Sequence, residues 1–265
     1  MRIFISLVFL LITTSSYAVT FDGRFIQGSF ILGKTEPGSD IFIDKKKVKV
    51  TSDGFFVFGL GRDRKYDVVI TVDKDGKKQK IVKKVQTRQY NIQRIDGLEE
   101  KKVTPPEEFY ERIKRENKWI GEARAINSSL IYFTKKFVVP VENAIISGVY
   151  GSQRILNGKP KWPHYGLDFA ADEGTKIKAM LDGTVTMAEP DLFYTGGTLI
   201  FDHGHGISTL YMHMKKILVK KRQKVKQGNV IGTVGSTGRA TGAHLDVRLN
   251  WFQTRLDPAT VLDIK

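Results

Sequence analysis

The histidines of this chain lie next to acidic residues at spacings that suit metal chemistry. His164 is followed four residues later by Asp168, and His244 is followed two residues later by Asp246. The second pair lies in a run that we expect to be extended, so both side chains point to one face. Imidazole nitrogen and carboxylate oxygen suit Zn²⁺. His164, Asp168 and Asp246 could thus supply three ligands and leave a fourth position open for water, as in catalytic zinc sites. For each pair alone, a buried His–Asp hydrogen bond is the alternative.

Composition excludes several other kinds of site. The 265 residues include no cysteine, which rules out disulfides, cysteine-ligated metals and thiol nucleophiles. All five histidines lie in the C-terminal half, which indicates one site there. Lysine and arginine number 43 against 28 acidic residues, for a formal charge of +15. Such a charge favours an anionic partner such as nucleic acid, lipid headgroups or a wall polymer, and a solvated lysine-rich surface is the alternative.

The first 18 residues have the pattern of a signal peptide. Arg2 precedes an apolar run from Ile3 to Ile12, and Ser16-Tyr17-Ala18 places small residues where a cleavage site needs them. The run is too short to span a bilayer. We therefore expect export to the periplasm or cell envelope. No cysteine is present to carry a lipid anchor, and nucleic acid is not an expected partner of an exported protein.

The remaining chain is predicted to be mostly β. Residues 19–97 contain short alternating strands and Asp-Gly turns, which predict a small β-sandwich-like module. Residues 98–135 contain a helix start at Pro105-Pro106 and a rough apolar stripe, which predict a helical connector. Residues 136–265 are β-rich again, and we expect an antiparallel domain there with an open groove.

An ordered series of motifs in the C-terminal half resembles the M23 family of zinc metallopeptidases, the lysostaphin or LytM type. The matching residues are Ser147-Gly148, Tyr150-Gly151-Ser152-Gln153-Arg154, His164-Tyr165-Gly166-Leu167-Asp168, Gly174-Thr175, Asp182-Gly183-Thr184-Val185, His203-Gly204-His205-Gly206, Tyr211 with His213, the glycines 228, 232, 235 and 238, Gly242 with His244-Leu245, and Leu256-Asp257-Pro258.

The resemblance implies a role for each residue of the site. His164 and Asp168 match the first two zinc ligands, and His213 and His244 match the two catalytic histidines. The third ligand of the family is the second histidine of a His-x-His motif, and here Asp246 stands at that position. A His-Asp-Asp set carries one more negative charge than His-Asp-His, which should make the metal a weaker Lewis acid.

The function that the resemblance implies is hydrolysis of peptide bonds in peptidoglycan, an anionic polymer suited to a basic exported protein. Arg154, Tyr165, Tyr194 and Arg248 could contact substrate, although aromatic packing or pairing with a site acid would also explain them. Two other functions remain open. One is a degenerate LytM-type factor that activates a cell-wall amidase, which Asp246 would favour. The other is a wall-binding module acting through its basic surface, with membrane-surface contact as a further use of that charge.

Overall fold

The computed structural model describes residues 18–264 and is built mainly from antiparallel β-strands, which confirms the predicted fold class. The predicted signal peptide lies outside the described residues except for Ala18, which is exposed. Within the described chain, no helix combines the length and the apolar character that crossing a membrane requires.

The N-terminal part is a two-layer sandwich of seven strands. They are β1 (Thr20–Asp22), β2 (Phe30–Lys34), β3 (Asp40–Ile43), β4 (Lys46–Val48), β5 (Phe55–Gly59), β6 (Val68–Lys74) and β7 (Lys77–Lys83). One sheet has the order β1-β2-β5 and the other β4-β3-β6-β7. Their alternating apolar residues, among them Ile31, Phe56 and Ile70, meet in one buried cluster between the layers.

The turn between β6 and β7 shows why the Asp-Gly signal predicts a hairpin. Lys74 pairs with Lys77, and the two residues between them, Asp75 and Gly76, have φ values of 52° and 78°. A two-residue hairpin turn of this kind needs positive φ at both positions, which glycine and aspartate tolerate better than most residues.

The connector contains the principal helix. β8 (Ile92–Ile95) is followed by α1 (Glu100–Val103), a 3-10 turn (Glu107–Phe109), α2 (Tyr110–Arg124) and a second 3-10 turn (Tyr132–Thr134). Ile120 and Ala123 of α2 pack against a sheet of the C-terminal part. The buried Glu116 carboxylate fixes the helix there, because it accepts hydrogen bonds from Arg112 Nε at 2.6 Å and from the Phe193 amide at 2.7 Å.

The C-terminal part holds the remaining strands. They are β9 (Ile145–Gly148), β10 (Gln153–Leu156), β11 (Lys159–Pro160), β12 (Leu167–Ala170), β13 (Lys176–Lys178), β14 (Gly183–Leu192), β15 (Gly196–Gly204), β16 (Ile207–Met214), β17 (Lys216–Ile217), β18 (Lys224–Val225), β19 (Val230–Thr233), β20 (His244–Trp251) and β21 (Thr254–Leu256), before a final 3-10 turn (Pro258–Thr260).

These strands form three sheets. The main sheet has the order β18-β14-β15-β16-β20-β12-β9, with β21 paired to β20. A smaller sheet has the order β13-β19-β17. The third, β11-β10-β8, includes a strand from the region predicted as the N-terminal module, because β8 pairs in parallel with β10.

Successive side chains of β20 alternate between the two faces of the main sheet, and the two faces differ in character. Leu245, Val247 and Leu249 are fully buried in the principal core. Asp246 and Arg248 lie on the opposite face, since successive side chains of a strand alternate. Their partners across the ladder are Met212 and Leu210, which belong to the cluster beneath α2. Helix α2 therefore packs on the face of the sheet that holds the acidic residues.

Candidate active site

Two adjacent strands bring the predicted acidic ligands together. Asp168 on β12 and Asp246 on β20 are directly opposite each other in the antiparallel ladder. Both are buried, with exposed fractions of 5% and 1%. The third predicted ligand, His164, precedes β12, and its backbone amide donates to the Ser152 carbonyl at 2.8 Å. Hydrogen bonding on both sides of the loop thus holds an imidazole above two facing carboxylates.

The His164 ring is oriented to present Nε2 to those carboxylates. Its Nδ1 lies 3.2 Å from the Val149 carbonyl oxygen, which can only accept, so Nδ1 carries the proton and Nε2 has a free lone pair. Nε2 is 3.0 Å from Asp168 Oδ1 and 3.4 Å from Asp246 Oδ2. A backbone carbonyl that fixes the tautomer in this way is the usual second partner of a metal-ligating histidine.

The donor set of this cluster fits a divalent metal ion. One ligand atom from each of His164, Asp168 and Asp246 lies within 4.8 Å of the other two. Asp168 Oδ1 is buried and has no hydrogen bond of good geometry within the described chain. Three converging electron-pair donors repel one another unless a cation lies between them. An imidazole and two carboxylates are a recognised ligand combination for Zn²⁺.

Two arginines outside this cluster balance its negative charge. Arg154 Nη2 donates to Asp168 Oδ2 at 3.1 Å, and Arg248 donates to both oxygens of Asp246, at 3.3 Å from Nε and 3.0 Å from Nη2. Burial by itself would raise the pKa of Asp246, but Arg248 and His164 hold it well below its usual range. Burial likewise opposes protonation of His164, and the two facing carboxylates outweigh it and raise the pKa of that ring.

The two predicted catalytic histidines lie side by side next to the cluster. The ring centroids of His213 and His244 are 4.8 Å apart. Each Nδ1 donates to a backbone carbonyl, that of Thr237 at 2.7 Å and that of Gly242 at 2.9 Å, which selects the neutral tautomer with its lone pair on Nε2. Burial, reinforced by the neighbouring His244, lowers the pKa of His213 to about 4, so this ring is neutral at ordinary pH.

His213 also has an unusual backbone. Its φ is 63°, in the left-handed region that side chains other than glycine rarely adopt, and its amide donates to the Thr195 carbonyl at 2.8 Å. The kink lies one residue before the end of β16, and the His213 ring is close enough to Asp246 and Asp168 to feel their charges. Strained backbone of this kind is common at functional sites.

Two glycines provide the space that the carboxylates occupy. A Cβ on Gly148 would collide with Asp168 Oδ2, and a Cβ on Gly166 would collide with Asp246 Oδ1. Both glycines belong to the motifs that predict the family. Their role here is steric, since any side chain at either position would displace a proposed ligand.

A groove passes over the site between α2 and the main sheet. One cavity of about 760 Å³ is lined by residues of α2 together with His213, Asp246 and Tyr165, and a smaller one of about 270 Å³ continues past His244. Tyr194 also borders the groove. Both tyrosines line the groove, as a substrate-binding role requires. Arg154 and Arg248 line it too, but each is paired with a site acid, which was the alternative interpretation of these two residues.

Sequence reasoning missed one residue of this groove. Arg239 lines both cavities together with His213 and stacks on Tyr194, with its guanidinium carbon 4.5 Å from the ring centroid. The feature of the sequence that could have indicated Arg239 is its position in the glycine-rich loop just before His244. The remaining histidines lie elsewhere: His203 is buried and bonded to Asp182 and Thr209, and His205 packs on Phe133.

Comparison with known proteins identifies the class to which this fold and site belong. Residues 162–258 match the model of peptidase family M23. The chain therefore carries an M23 peptidase domain, as the motif series predicts. A crystal structure of a candidate M23 peptidase from Pseudomonas aeruginosa superimposes with a TM-score of 0.70 and 28% identity, over 90% of this chain and 95% of that one. The two proteins thus share their fold outside the peptidase domain as well.

Curated relatives resemble this chain over a shorter region. The peptidoglycan DD-endopeptidase ShyA of Vibrio cholerae is 46% identical over 87 residues, which are 33% of this chain and 20% of ShyA. ShyC, a peptidoglycan DD-endopeptidase of the same organism, is 37% identical over 124 residues, or 46% of this chain and 28% of ShyC. This chain therefore spans between 20% and 28% of the length of these relatives.

Proposed function

We propose that this protein is an exported zinc metallopeptidase that cleaves peptide bonds in peptidoglycan, in stem peptides or cross-links, in the periplasm or cell envelope. The observation that carries the proposal is the convergence of His164, Asp168 and Asp246 beside the imidazole pair His213 and His244. The DD-endopeptidase relatives support the substrate class. The formal charge of +15 suits an anionic wall polymer.

In this proposal the chain's own residues have distinct tasks. His164, Asp168 and Asp246 would hold the ion, and bound Zn²⁺ would supply Lewis-acid chemistry at the scissile carbonyl. His213 and His244 present unprotonated Nε2 atoms, which would accept the proton of the attacking water and return it to the leaving amine. Because burial lowers the pKa of His213 to about 4, the ring is unprotonated at neutral pH and available to accept a proton.

The departure at Asp246 is compatible with this activity. Its additional negative charge is balanced by the bidentate contact from Arg248, two residues later on the same strand. The hydrogen bonds from Arg248 offset part of the negative charge of the carboxylate that would bind the ion. The ligand set therefore behaves more like one with a neutral third ligand.

The test is digestion of purified sacculi by the zinc-loaded protein, with the released peptides identified by mass spectrometry. We expect new amine and carboxyl termini within the peptide part, and none from His164→Ala. Intact sacculi that nevertheless become sensitive to a partner amidase would favour the activator function instead. Binding to sacculi without cleavage or activation would favour the wall-binding module.

A further inference from the structure

Arg239 is a positive charge in the groove that has no acidic partner within residues 18–264. Among the described residues, the acceptor for its guanidinium is the Lys102 carbonyl, at a long 3.4 Å. Arg154 and Arg248 line the same cavity, but their charges are balanced by Asp168 and Asp246. A fourth arginine of this cavity, Arg255, donates from Nη1 to the Asn250 side-chain oxygen at 2.9 Å, so four guanidinium groups share two carboxylates. Of the two arginines without a carboxylate, Arg239 is the one that also lines the smaller cavity, together with His213 and His244.

The guanidinium of Arg239 is held in position without being neutralised. The backbone amide of Arg239 donates to the Tyr194 carbonyl at 2.8 Å, and the Tyr194 ring lies beneath the guanidinium plane. Gly238, with φ 70°, brings this loop so close to the Tyr194–Gly196 turn that a Cβ would collide with backbone. The ring contact uses the face of the guanidinium, so its N–H groups, apart from the long Nη1 contact with the Lys102 carbonyl, stay available to bind a planar anion.

The positive charge of Arg239 is energetically unfavourable in this position. Burial lowers the pKa of Arg239 to about 10, and Arg154 and Arg248 add to the effect, so the group remains cationic but poorly solvated at neutral pH. A partly buried cation without a counter-ion costs free energy that an incoming anion recovers. A site with this property discriminates strongly between a charged ligand and its neutral isostere.

We propose that Arg239 binds a carboxylate of the peptide substrate, close to the bond that His213 and His244 act on. The inference rests on the proposed peptidase function and specifies its substrate as a peptide with a free carboxylate near the scissile bond. Two sources share this chemistry: the α-carboxylate at the end of the peptide and a side-chain carboxylate within it. A planar carboxylate matches the fork of a stacked guanidinium with two parallel hydrogen bonds.

The experiment uses three synthetic muropeptides and the full-length, metal-loaded protein. One peptide carries both carboxylates, the second has its C-terminal α-carboxylate amidated, and the third has its side-chain carboxylate amidated. We expect the wild type to lose roughly 10- to 100-fold in kcat/KM on one of the two amides, as expected for a charge-assisted hydrogen bond. The amide that loses activity identifies the source. Arg239→Gln should cleave all three peptides at the low rate, and Arg239→Lys should fall between.

The control is Arg115→Gln, which removes one exposed positive charge from α2 and should keep the wild-type preference. Thermal melting checks that each variant is folded. Equal cleavage of all three peptides by the wild type, or an unchanged preference in Arg239→Gln, would overturn the proposal. If the wild type cleaves no peptide, the peptidase function fails, and calorimetric binding of the same peptides to EDTA-treated protein still tests Arg239, because the carboxylate preference should appear in Kd.

Discussion

Asp168 and Asp246 face each other across β12 and β20, and each is paired with an arginine, Asp168 through Oδ2 with Arg154 and Asp246 through both oxygens with Arg248. The pairing is set by strand register, so a shift of one residue in either strand would turn the carboxylate of that strand into the apolar core. Each carboxylate is therefore shared between a guanidinium and the proposed metal position that His164 Nε2 faces.

Loss of one ligand should abolish metal binding. Wild-type protein is expected to hold about one Zn²⁺ per chain, and His164→Ala or Asp168→Asn should reduce the content to background because two donors remain. Elemental analysis after dialysis measures the content. His205→Asn is the matched control, since His205 lies against Phe133 with φ 50°, a conformation that asparagine tolerates. Full metal content in His164→Ala would contradict the assigned ligand set.

Replacement of either proposed catalytic histidine should lower the rate of catalysis without reducing the amount of bound metal. His213→Ala and His244→Ala are expected to lower kcat by roughly 10²- to 10⁴-fold, the usual contribution of a positioned acid or base. Their zinc content should remain at the wild-type level, because neither ring belongs to the converging ligand atoms. Parallel measurement of peptide release and zinc content distinguishes the two effects. A variant that loses its zinc as well would assign that histidine to the ligands.

The steric role of Gly166 can be tested with a single methyl group. Gly166→Ala places a Cβ against Asp246 Oδ1 and should weaken zinc affinity at least tenfold, a size typical of disturbed ligand orientation. The matched control is Gly242→Ala, in the loop before His244, where an added Cβ meets no atom within 4 Å. Competition with a fluorescent chelator measures both affinities. Equal affinities in the two variants would remove the steric argument.

Restoring the family's histidine at position 246 should be harmful unless Arg248 changes too. Asp246→His leaves the Arg248 guanidinium buried without its carboxylate, which should cost about 3–5 kcal/mol of unfolding free energy. The double variant Asp246→His with Arg248→Gln removes the stranded charge and should recover most of that loss. Urea unfolding of the metal-free proteins measures the difference. Additive effects of the two substitutions would mean that the residues are not coupled.

His203 should make the metal-free protein less stable in acid. Burial lowers the pKa of this ring from 6.5 to about 4, so the unfolded chain takes up a proton over this range that the folded chain excludes. The contribution of His203 to the unfolding free energy is therefore fully present above about pH 6.5. It declines toward pH 4 by about 1.4 kcal/mol per pH unit. His203→Asn should show a correspondingly shallower decline in urea unfolding between these limits. If the unfolding free energies of the wild type and of His203→Asn fall equally with pH, another group causes the acid sensitivity.

Much of the fold could be predicted from local sequence. The alternating strands and Asp-Gly turns predict the sandwich, and Asp75-Gly76 forms its turn because that backbone conformation is a local property. The helix of the connector is present as α2, although Trp119 of its expected apolar stripe is 39% exposed. The parallel pairing of β8 with β10 could not be predicted, since nothing in either strand specifies a partner some sixty residues away.

For the candidate site, the sequence by itself determined which donors are present and in what order, because residue type and short spacing define the M23 motifs. Tertiary structure decided which charges are neutralised. Arg154 and Arg248 pair with Asp168 and Asp246, whereas Arg239, undistinguished in the sequence, has no acid beside it in the described part of the chain. The physical reason is that ion pairing and burial depend on contacts between strands and loops that are distant along the chain, whereas side-chain chemistry and alternation along a strand are local.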